Sequence, residues 1–419
     1  MTATPVAVPE RLEPPPTERP ATEVLAGQRS YRLTSIDLLR GLVIVIMAID
    51  HTRDFFLAGA QQDPTTDPNV GAALFATRWI THFCAPVFVL LAGTSAGLMV
   101  ARKSRPELAW FLFTRGVWLV FVEIFVISTA ATFAPGGIAE VGGQVLIAMQ
   151  VIWAIGASMI VLAGCQWMGR RACLALGLTI LVAHNLLDAV WPAATQLEMQ
   201  WPLWVALHAQ MAVNAGPFLF LFIYPVLPWI GVMLFGFGVA EIFEQPAEQR
   251  NALLLRVGAA LTAAFVLLRG VDAYGDPNHW EPQPGGATAT VIDFFNTTKY
   301  PPSLLFLLMT LGPAAIVCGL ADRMRGAVKD GLVMFGRVPF AFYVAHWFLI
   351  HTLSVMLGLA QGFELDQMTT VFLFYPEGYG VSLAGVYVAW ALVIAILYPF
   401  CRWVAGVKAR RRDWWLSYV

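Results

Sequence analysis

The chain has 419 residues, of which 58% are hydrophobic and 13% are charged, and its formal net charge is −1. A soluble domain carries about 25% charged residues, so this sequence lacks the charge that a water-facing surface needs. It also lacks the basic excess with which proteins bind nucleic acid. The composition therefore excludes a soluble enzyme, a disordered chain and a nucleic-acid binder, and it indicates an all-α polytopic membrane protein.

The elements follow in chain order. Residues 1–31 are rich in Pro, Glu and Thr and predict a disordered tail, while residues 32–419 read as one multi-pass domain. This domain contains ten apolar stretches, each about 20 residues long and able to cross the hydrocarbon layer as a helix. They lie at 35–57, 76–100, 108–132, 143–166, 172–191, 217–243, 253–271, 302–321, 333–357 and 382–404. The five cysteines fall in or beside these stretches, and no metal site is expected.

The positive-inside rule orients the predicted helices. With the amino terminus in the cytoplasm, all but four of the 26 Lys and Arg residues fall on the cytoplasmic side, the exceptions being Arg53, Arg78, Arg269 and Lys299. Both termini are therefore predicted to be cytoplasmic. Three connections on the opposite side (192–216, 272–301 and 358–381) are long, and long loops usually cover or form a site. An additional re-entrant helix within 201–216 remains an alternative.

The first predicted helix carries a polar stripe. Arg40 and His51 are 11 residues apart, which on a helix places them about 20° apart on one face and about 16 Å apart along the axis. Asp37 and Asp54 extend this stripe, and Asp50 precedes the histidine. Ionisable groups inside a membrane are functional candidates, although Asp37 and Arg40 could also form a local ion pair.

Further ionisable residues are predicted in the middle or outer half of other helices. Arg78 and His82 are one helical turn apart and should lie at the depth of His51. His184 and Asp188 belong to the fifth predicted helix, and His346 belongs to the ninth. Each of these could instead be a hydrogen-bonding anchor between helices. The segment 93–97 (GTSAG) has the spacing of a close helix crossing.

Several segments resemble a bacterial family of membrane proteins that is grouped with the catalytic domain of heparan-alpha-glucosaminide N-acetyltransferase. They are 35–41 (SIDLLRG), Asp50-His51, 78–86 (RWITHFCAP), 296–303 (NTTKYPPS) and 336–340 (GRVPF). The similarity covers nearly all of residues 32–419. The spacing from Arg40 to His51 is also similar to the R-x10-H pattern of the wider membrane O-acyltransferases that decorate bacterial glycans.

The resemblance implies acyl transfer across the membrane, with cytoplasmic acetyl-CoA as co-substrate and an outward-facing sugar as acceptor. In the eukaryotic enzyme the catalytic histidine lies in the loop after the first helix, and residues 55–75 here contain none. Either His51 or His82 would then be the catalytic histidine, or this branch of the family no longer carries out the reaction. Arg40 and Asp37 would serve the donor site.

The residues allow an assignment of roles under this hypothesis. His51 would accept the acceptor's proton or carry the acyl group, and Asp54 would orient it better than Asp50. His82 would be a second acid/base or an oxyanion donor. The acceptor site would contain Arg53, Arg78, His184, Asp188 and His346.

Two other functions remain open at the level of sequence, a proton-coupled transporter and a non-enzymatic membrane protein. The absence of a convincing internal repeat weakens the transporter interpretation. The expected partners are the lipid bilayer, acyl-CoA and a sugar or glycan, with a homodimer left open. The expected location is the bacterial inner membrane.

Overall fold

A computed structural model describes residues 21–59, 65, 70–190, 202–411 and 413–418. The longer helices are α1 (Ala21–Phe56), α2 (Ala72–Thr81), α3 (Cys84–Met99), α4 (Arg105–Val122), α6 (Val151–Cys165), α7 (Arg170–Ala183), α10 (Val226–Val239), α11 (Ala247–Val271), α12 (Ala287–Phe295), α13 (Leu304–Leu320), α14 (Ala327–Arg337), α15 (Pro339–Ala360) and α17 (Leu383–Arg410). Short helices are α5 (Ser128–Thr132), α8 (Leu186–Val190), α9 (Pro202–His208) and α16 (Leu365–Met368). The strands are β1 (Val145–Met149), β2 (Met211–Ala215) and β3 (Phe218–Phe222).

The expected all-α multi-pass architecture is confirmed. Within the described residues, nine helical segments are long and apolar enough to cross a membrane, and each overlaps one of the predicted stretches. The tenth prediction corresponds to α1, which is long enough but is interrupted by the charged residues of the polar stripe. Residues 1–20 of the predicted tail lie outside the described residues, and α1 already begins at Ala21.

Two predicted helices start too early because the chain first forms a small sheet. β3 is the central strand, parallel to β1 and antiparallel to β2. The prediction was wrong here because the strand 218–222 (FLFLF) is apolar on both faces, and periodicity alone cannot distinguish such a run from a buried helix. The stretch 201–216 contains the short helix α9 and strand β2 rather than a single re-entrant helix.

The predicted helix at 333–357 is divided in the structure. Val338 has φ −131° and ψ 45°, so α14 ends before it and α15 begins at Pro339. The residue before a proline avoids the helical region because the proline ring collides with its backbone. The break places the basic end of α14, with Arg337, beside the start of α15.

Glycines allow the helices that carry the site to approach closely. A Cβ atom on Gly41 of α1 would lie 1.8 Å from the Leu332 carbonyl oxygen, and one on Gly336 would lie 1.8 Å from the Asp37 carbonyl oxygen. The predicted close crossing at 93–97 is also present, because a Cβ on Gly93 would lie 2.2 Å from the Met233 carbonyl oxygen of α10. These contacts fix α1 against α14 and α3 against α10.

The connection 272–301 is held by one buried cation. Arg269 is fully buried, and its guanidinium donates hydrogen bonds to the backbone carbonyls of Phe294, Asp293 and Asn296 at 3.0, 3.2 and 3.3 Å. Asp276 accepts hydrogen bonds from the hydroxyls of Thr298 and Ser303. The connection is therefore ordered up to the residues that reach the site.

Candidate active site

Two cavities lie along α1 and have two wall residues in common. One, of about 410 Å³, includes His51 and is called the His51 cavity. The other, of about 430 Å³, includes Arg40 and is called the Arg40 cavity. Phe88 and Val151 line both. The predicted stripe therefore faces two adjacent chambers at different depths of the bundle, with these two side chains between them.

The wall of the His51 cavity is built from the ends of several helices, the sheet and all three long connections. The connections contribute Gln210, Lys299, Tyr300 and a segment around Phe372. Leu219 and Leu221 of β3 also face the cavity, while Phe218, Phe220 and Phe222 form a row on the opposite face of the strand. The expectation that the long connections form or cover a site agrees with this arrangement.

A compact ion cluster occupies one side of the His51 cavity. Arg78 Nη1 donates to both carboxylate oxygens of Asp50, at 2.9 and 2.8 Å, and Arg53 Nη1 lies 3.1 Å from Asp50 Oδ1. Arg53 also donates a hydrogen bond to Asp54, and Lys299 Nζ lies 3.9 Å from Asp50 Oδ2. Three cations face two carboxylates, so the cluster favours a ligand that carries negative or electron-rich groups.

His51 lies beside this cluster and against aromatic rings of α15. Its ring centroid is 4.3 Å from that of Trp347 and 5.1 Å from that of His346. Its buried Nδ1 makes no hydrogen bond within the described part of the chain. Asp54, which we predicted to orient this imidazole, instead accepts its hydrogen bond from Arg53. Ring packing and the cavity wall therefore hold His51 in place.

The Arg40 cavity is strongly basic. Arg40, Arg115, Arg337 and Lys408 all contribute to its wall. Arg40 donates to Ser95 Oγ at 3.1 Å and to Asp37 Oδ1 at 3.2 Å, and Arg337 lies 4.0 Å from the same carboxylate. One carboxylate thus positions two of the four cations. Guanidinium groups bind phosphate through two parallel hydrogen bonds, so this chamber is suited to a polyanionic ligand.

Other predicted site residues lie behind the cavity walls. His82 is buried and packs against Phe306, with 5.4 Å between ring centroids. His346 is fully buried and donates from Nδ1 to the Tyr343 carbonyl. Its ring contacts His51, so it belongs to the surroundings of the candidate base.

His184 and Asp188 form a separate polar cluster. His208 Nε2 lies 3.2 Å from the His184 carbonyl oxygen and 3.4 Å from Asp188 Oδ1. Burial lowers the pKa of His208 to about 4, so it is neutral at pH 7. Asp188 also accepts a hydrogen bond from Asn185, whose own oxygen accepts from the Leu304 amide. These contacts join the corner between α7 and α8 to α9 and α13, and they correspond to the anchoring role that the sequence left open.

The sequence indicated no site role for six residues that the structure brings to the cavities. They are Lys299 and Trp347 in the His51 cavity, and Arg115, Arg337, Tyr343 and Lys408 in the Arg40 cavity. Lys299 could have been found, because it is one of the four basic residues on the side predicted to be external. The described residues contain no group of three or more His, Cys, Asp or Glu that could hold a metal ion.

A comparison with protein families matches the part of the chain that contains most of the site. The family model described as "Heparan-alpha-glucosaminide N-acetyltransferase, catalytic" matches residues 32–270. This segment is more than half of the chain, and it includes Arg40, His51 and the ion cluster apart from Lys299. No curated protein matches the sequence. The chain therefore belongs to the heparan-alpha-glucosaminide N-acetyltransferase catalytic-domain family, a family of transmembrane acetyltransferases.

Proposed function

We propose that the protein transfers an acetyl or other short acyl group from cytoplasmic acyl-CoA to an amine or hydroxyl group of an outward-facing sugar. The donor would occupy the Arg40 cavity and the acceptor the His51 cavity. The proposed setting is the bacterial inner membrane, with both termini in the cytoplasm, in agreement with the distribution of basic residues. The observation that carries the proposal is the pair of chambers on one face of α1, which have Phe88 and Val151 in common.

The donor's chemistry matches the Arg40 cavity. CoA carries phosphate groups at one end of a long flexible arm and the thioester at the other. The basic groups of Arg40, Arg115, Arg337 and Lys408 suit the phosphates. The axial distance of about 16 Å from Arg40 to His51 is bridged by an extended arm, which would bring the thioester to the layer between the chambers.

The acceptor's chemistry matches the His51 cavity. The acceptor nitrogen or oxygen attacks the thioester carbonyl carbon, the new C–N or C–O bond forms, and the C–S bond breaks. Neutral His51 takes the proton that the acceptor loses, and the CoA thiolate leaves and is protonated. If His51 is instead an acyl carrier, its ring nitrogen attacks the thioester carbon and the CoA thiolate leaves. The acceptor then attacks the acetyl carbon, the bond to the imidazole breaks, and the proton of the acceptor passes to the freed imidazole. Arg53, Arg78, Asp50 and Lys299 would hold the sugar.

Acetyl-CoA binding to the purified protein tests the donor site. At a concentration of 100 times Kd, a ligand that binds only the folded state stabilises it by about 2.7 kcal/mol. We expect acetyl-CoA to raise the Tm of the wild type and to have much less effect on Arg40→Ala. Arg102→Ala is the matched control, because Arg102 is exposed between α3 and α4. Equal stabilisation of Arg40→Ala and the wild type would contradict the assigned donor site.

Turnover tests the role of His51. With acetyl-CoA and glucosamine as probes, we expect the wild type to release CoA and His51→Ala to fold and bind acetyl-CoA but to lose transfer. Normal turnover by His51→Ala would contradict its assignment. The parallel variant His82→Ala distinguishes the two candidate histidines. If His82→Ala loses acetyl transfer while His51→Ala turns over normally, the catalytic role belongs to His82.

A transporter is the second candidate, because two adjacent chambers that share wall residues are also compatible with alternating access. A transporter and a transferase differ in whether acetyl-CoA is consumed. Solute flux through proteoliposomes without consumption of acetyl-CoA would favour a transporter over a transferase.

A further inference from the structure

The wall of the His51 cavity has two chemically different parts. One part is the ion cluster around Asp50. The other, called the apolar wall, is formed where β1 and β3 meet the connection 358–381, and it consists of Val141, Leu146, Leu219, Leu221, Val371 and Phe372. None of these side chains carries a hydrogen-bonding group, so the hydroxyl groups of a sugar have no partner among them. The apolar wall is therefore suited to a hydrocarbon part of a ligand.

The apolar wall is one continuous surface. Leu146 of β1 lies opposite Leu219 of β3 in the sheet register. Leu146 and Val371 belong to one hydrophobic cluster, and Leu219 packs against it. Side chains two residues apart on a strand share a face, so the surface continues along β3 through Leu221 to Ile223. At about 3.3 Å per residue, the strip from Leu219 to Ile223 is about 13 Å long.

This strip begins next to the ion cluster. Tyr224 directly follows Ile223, and its ring centroid is 5.1 Å from that of Tyr300. The preceding residue, Lys299, reaches the cluster, with Nζ 3.9 Å from Asp50 Oδ2. A ligand whose polar head lies at the cluster can therefore extend an apolar chain along β3 without leaving the cavity.

The apolar wall also continues to side chains that are exposed. Leu373 and Phe374 follow Phe372 in the cavity lining, and they are 39% and 37% exposed. Contiguous exposed apolar residues beside a cavity are typical of a binding surface. A hydrocarbon chain lying there would remove these side chains from water.

The sheet that carries the strip lies at the edge of the membrane-spanning region. β1 connects two candidate spanning segments, and β3 directly precedes a third. The face of β3 away from the cavity carries Phe218, Phe220 and Phe222, and Phe218 is 41% exposed. Apolar rings exposed at this level suit contact with lipid rather than with water. A lipid-anchored ligand is therefore near its own solvent when it enters the His51 cavity.

We propose that the acceptor is a glycolipid, whose sugar lies at the ion cluster beside His51 and whose hydrocarbon chain lies along the apolar wall. This inference rests on the proposed function and names the class of its acceptor. The bonds made and broken are those already described, because only the sugar's amine or hydroxyl group reacts. The chain contributes binding energy and holds the sugar at the membrane surface.

The kinetic test varies the chain and keeps the sugar. The probes are methyl, butyl and octyl β-glucosaminide, the protein is reconstituted in nanodiscs, and KM is expressed as free aqueous acceptor. We expect the KM to fall by about fourfold for each methylene group that the wall buries. The kcat should change much less, since the chain does not touch the reacting atoms.

Variants of the apolar wall locate the effect. Leu221→Ser should reduce the difference in KM between octyl and methyl glucosaminide and leave the KM for methyl glucosaminide nearly unchanged. The matched control is Leu365→Ser, because Leu365 is exposed on α16 outside the cavity wall. If Leu221→Ser is not recovered in folded form, Leu373→Ser at its exposed position decides the test.

A labelling experiment tests the position of the chain without turnover. An alkyl glucosaminide with a diazirine at the chain end is photolysed with the wild type, and the labelled peptides are identified by mass spectrometry. We expect labelling in 218–223 and 371–374 that an excess of octyl glucosaminide suppresses. Suppressible labelling confined to other segments would overturn the glycolipid assignment.

The remaining outcomes distinguish this inference from the proposed function. If acetyl-CoA neither stabilises the protein nor is consumed, the proposed function is overturned, and the glycolipid acceptor with it. Turnover with the same KM for methyl and octyl glucosaminide would overturn the glycolipid acceptor alone. A lower KM for octanoyl-CoA than for acetyl-CoA, with no dependence on the acceptor's chain, would assign the apolar wall to the donor's acyl group and would also overturn it.

Discussion

The ion cluster around Asp50 allows a quantitative prediction about folding. Replacing Asp50 by Asn leaves Arg53, Arg78 and Lys299 facing the single carboxylate of Asp54. At an effective dielectric constant of 20, each charge pair at about 4 Å is worth about 4 kcal/mol, and removing one partner of a buried pair typically costs about 3–5 kcal/mol. We therefore expect Asp50→Asn to lower the free energy of unfolding by about 3–5 kcal/mol.

A double-mutant cycle isolates the contact between Asp50 and Arg78. In the double variant Asp50→Asn/Arg78→Met the cluster recovers its wild-type net charge. The decrease in the free energy of unfolding should therefore be smaller than the sum of the decreases in the two single variants. We expect a coupling free energy of at least about 1.5 kcal/mol, measured by reversible unfolding in mixed micelles. If the decreases in the free energy of unfolding of the two single variants sum to that of the double variant within about 0.5 kcal/mol, the proposed coupling between Asp50 and Arg78 is refuted.

A more exposed ion pair of the same length provides the control for burial. Arg170 Nη2 lies 2.8 Å from Glu244 Oε1, but the Glu244 side chain is 37% exposed. Since exposed pairs contribute about 0–1 kcal/mol, we expect Glu244→Gln to cost less than about 1 kcal/mol. If Glu244→Gln lowers the free energy of unfolding as much as Asp50→Asn does, burial does not determine the strength of the ion pairs around Asp50.

Three further predictions follow from other contacts. Gly93→Ala should reduce the yield of monodisperse protein, since its Cβ would meet the Met233 carbonyl, whereas Gly164→Ala, with nothing within 4 Å, should not. Arg269→Met should speed amide hydrogen exchange around residues 293–299 by at least about tenfold, because hydrogen bonds to a charged group are worth about 1.5–3 kcal/mol each; the exposed Arg256, changed to Met, should have no such effect. The KM for acetyl-CoA should rise with ionic strength because salt screens the four cations of the Arg40 cavity, and a salt-independent KM would contradict phosphate binding there.

The sequence was sufficient to predict the helical architecture and the polar stripe of α1. Periodicity placed Arg40 and His51 on one face, and the structure shows both facing cavities. The shared depth of Arg78 and Asp50 also appears as a direct ion pair. These predictions succeed because helical geometry within one segment is set by local rules, and because charge in an apolar segment is easy to detect.

The rest of the site depends on contacts between segments that are distant in the sequence. Tyr343 and Trp347 belong to an apolar helix in which their spacing indicates no more than packing. Which of His51 and His82 would face a cavity depends on how α2 and α15 pack against α1. Only the three-dimensional arrangement shows that Lys299 reaches Asp50.

The position of Phe88 and Val151 between the two chambers has an electrical consequence. If the chambers on either side admit water, most of the membrane voltage falls across these two side chains, and moving one elementary charge through 100 mV takes about 2.3 kcal/mol. A neutral acetyl group passes this layer without electrical work, while the phosphates of its carrier remain behind. A proton that is taken from the acceptor and delivered to the departing thiolate would instead cross the membrane field. The rate of turnover would then depend on the membrane voltage, and this dependence shows from which side of the membrane the CoA thiol receives its proton.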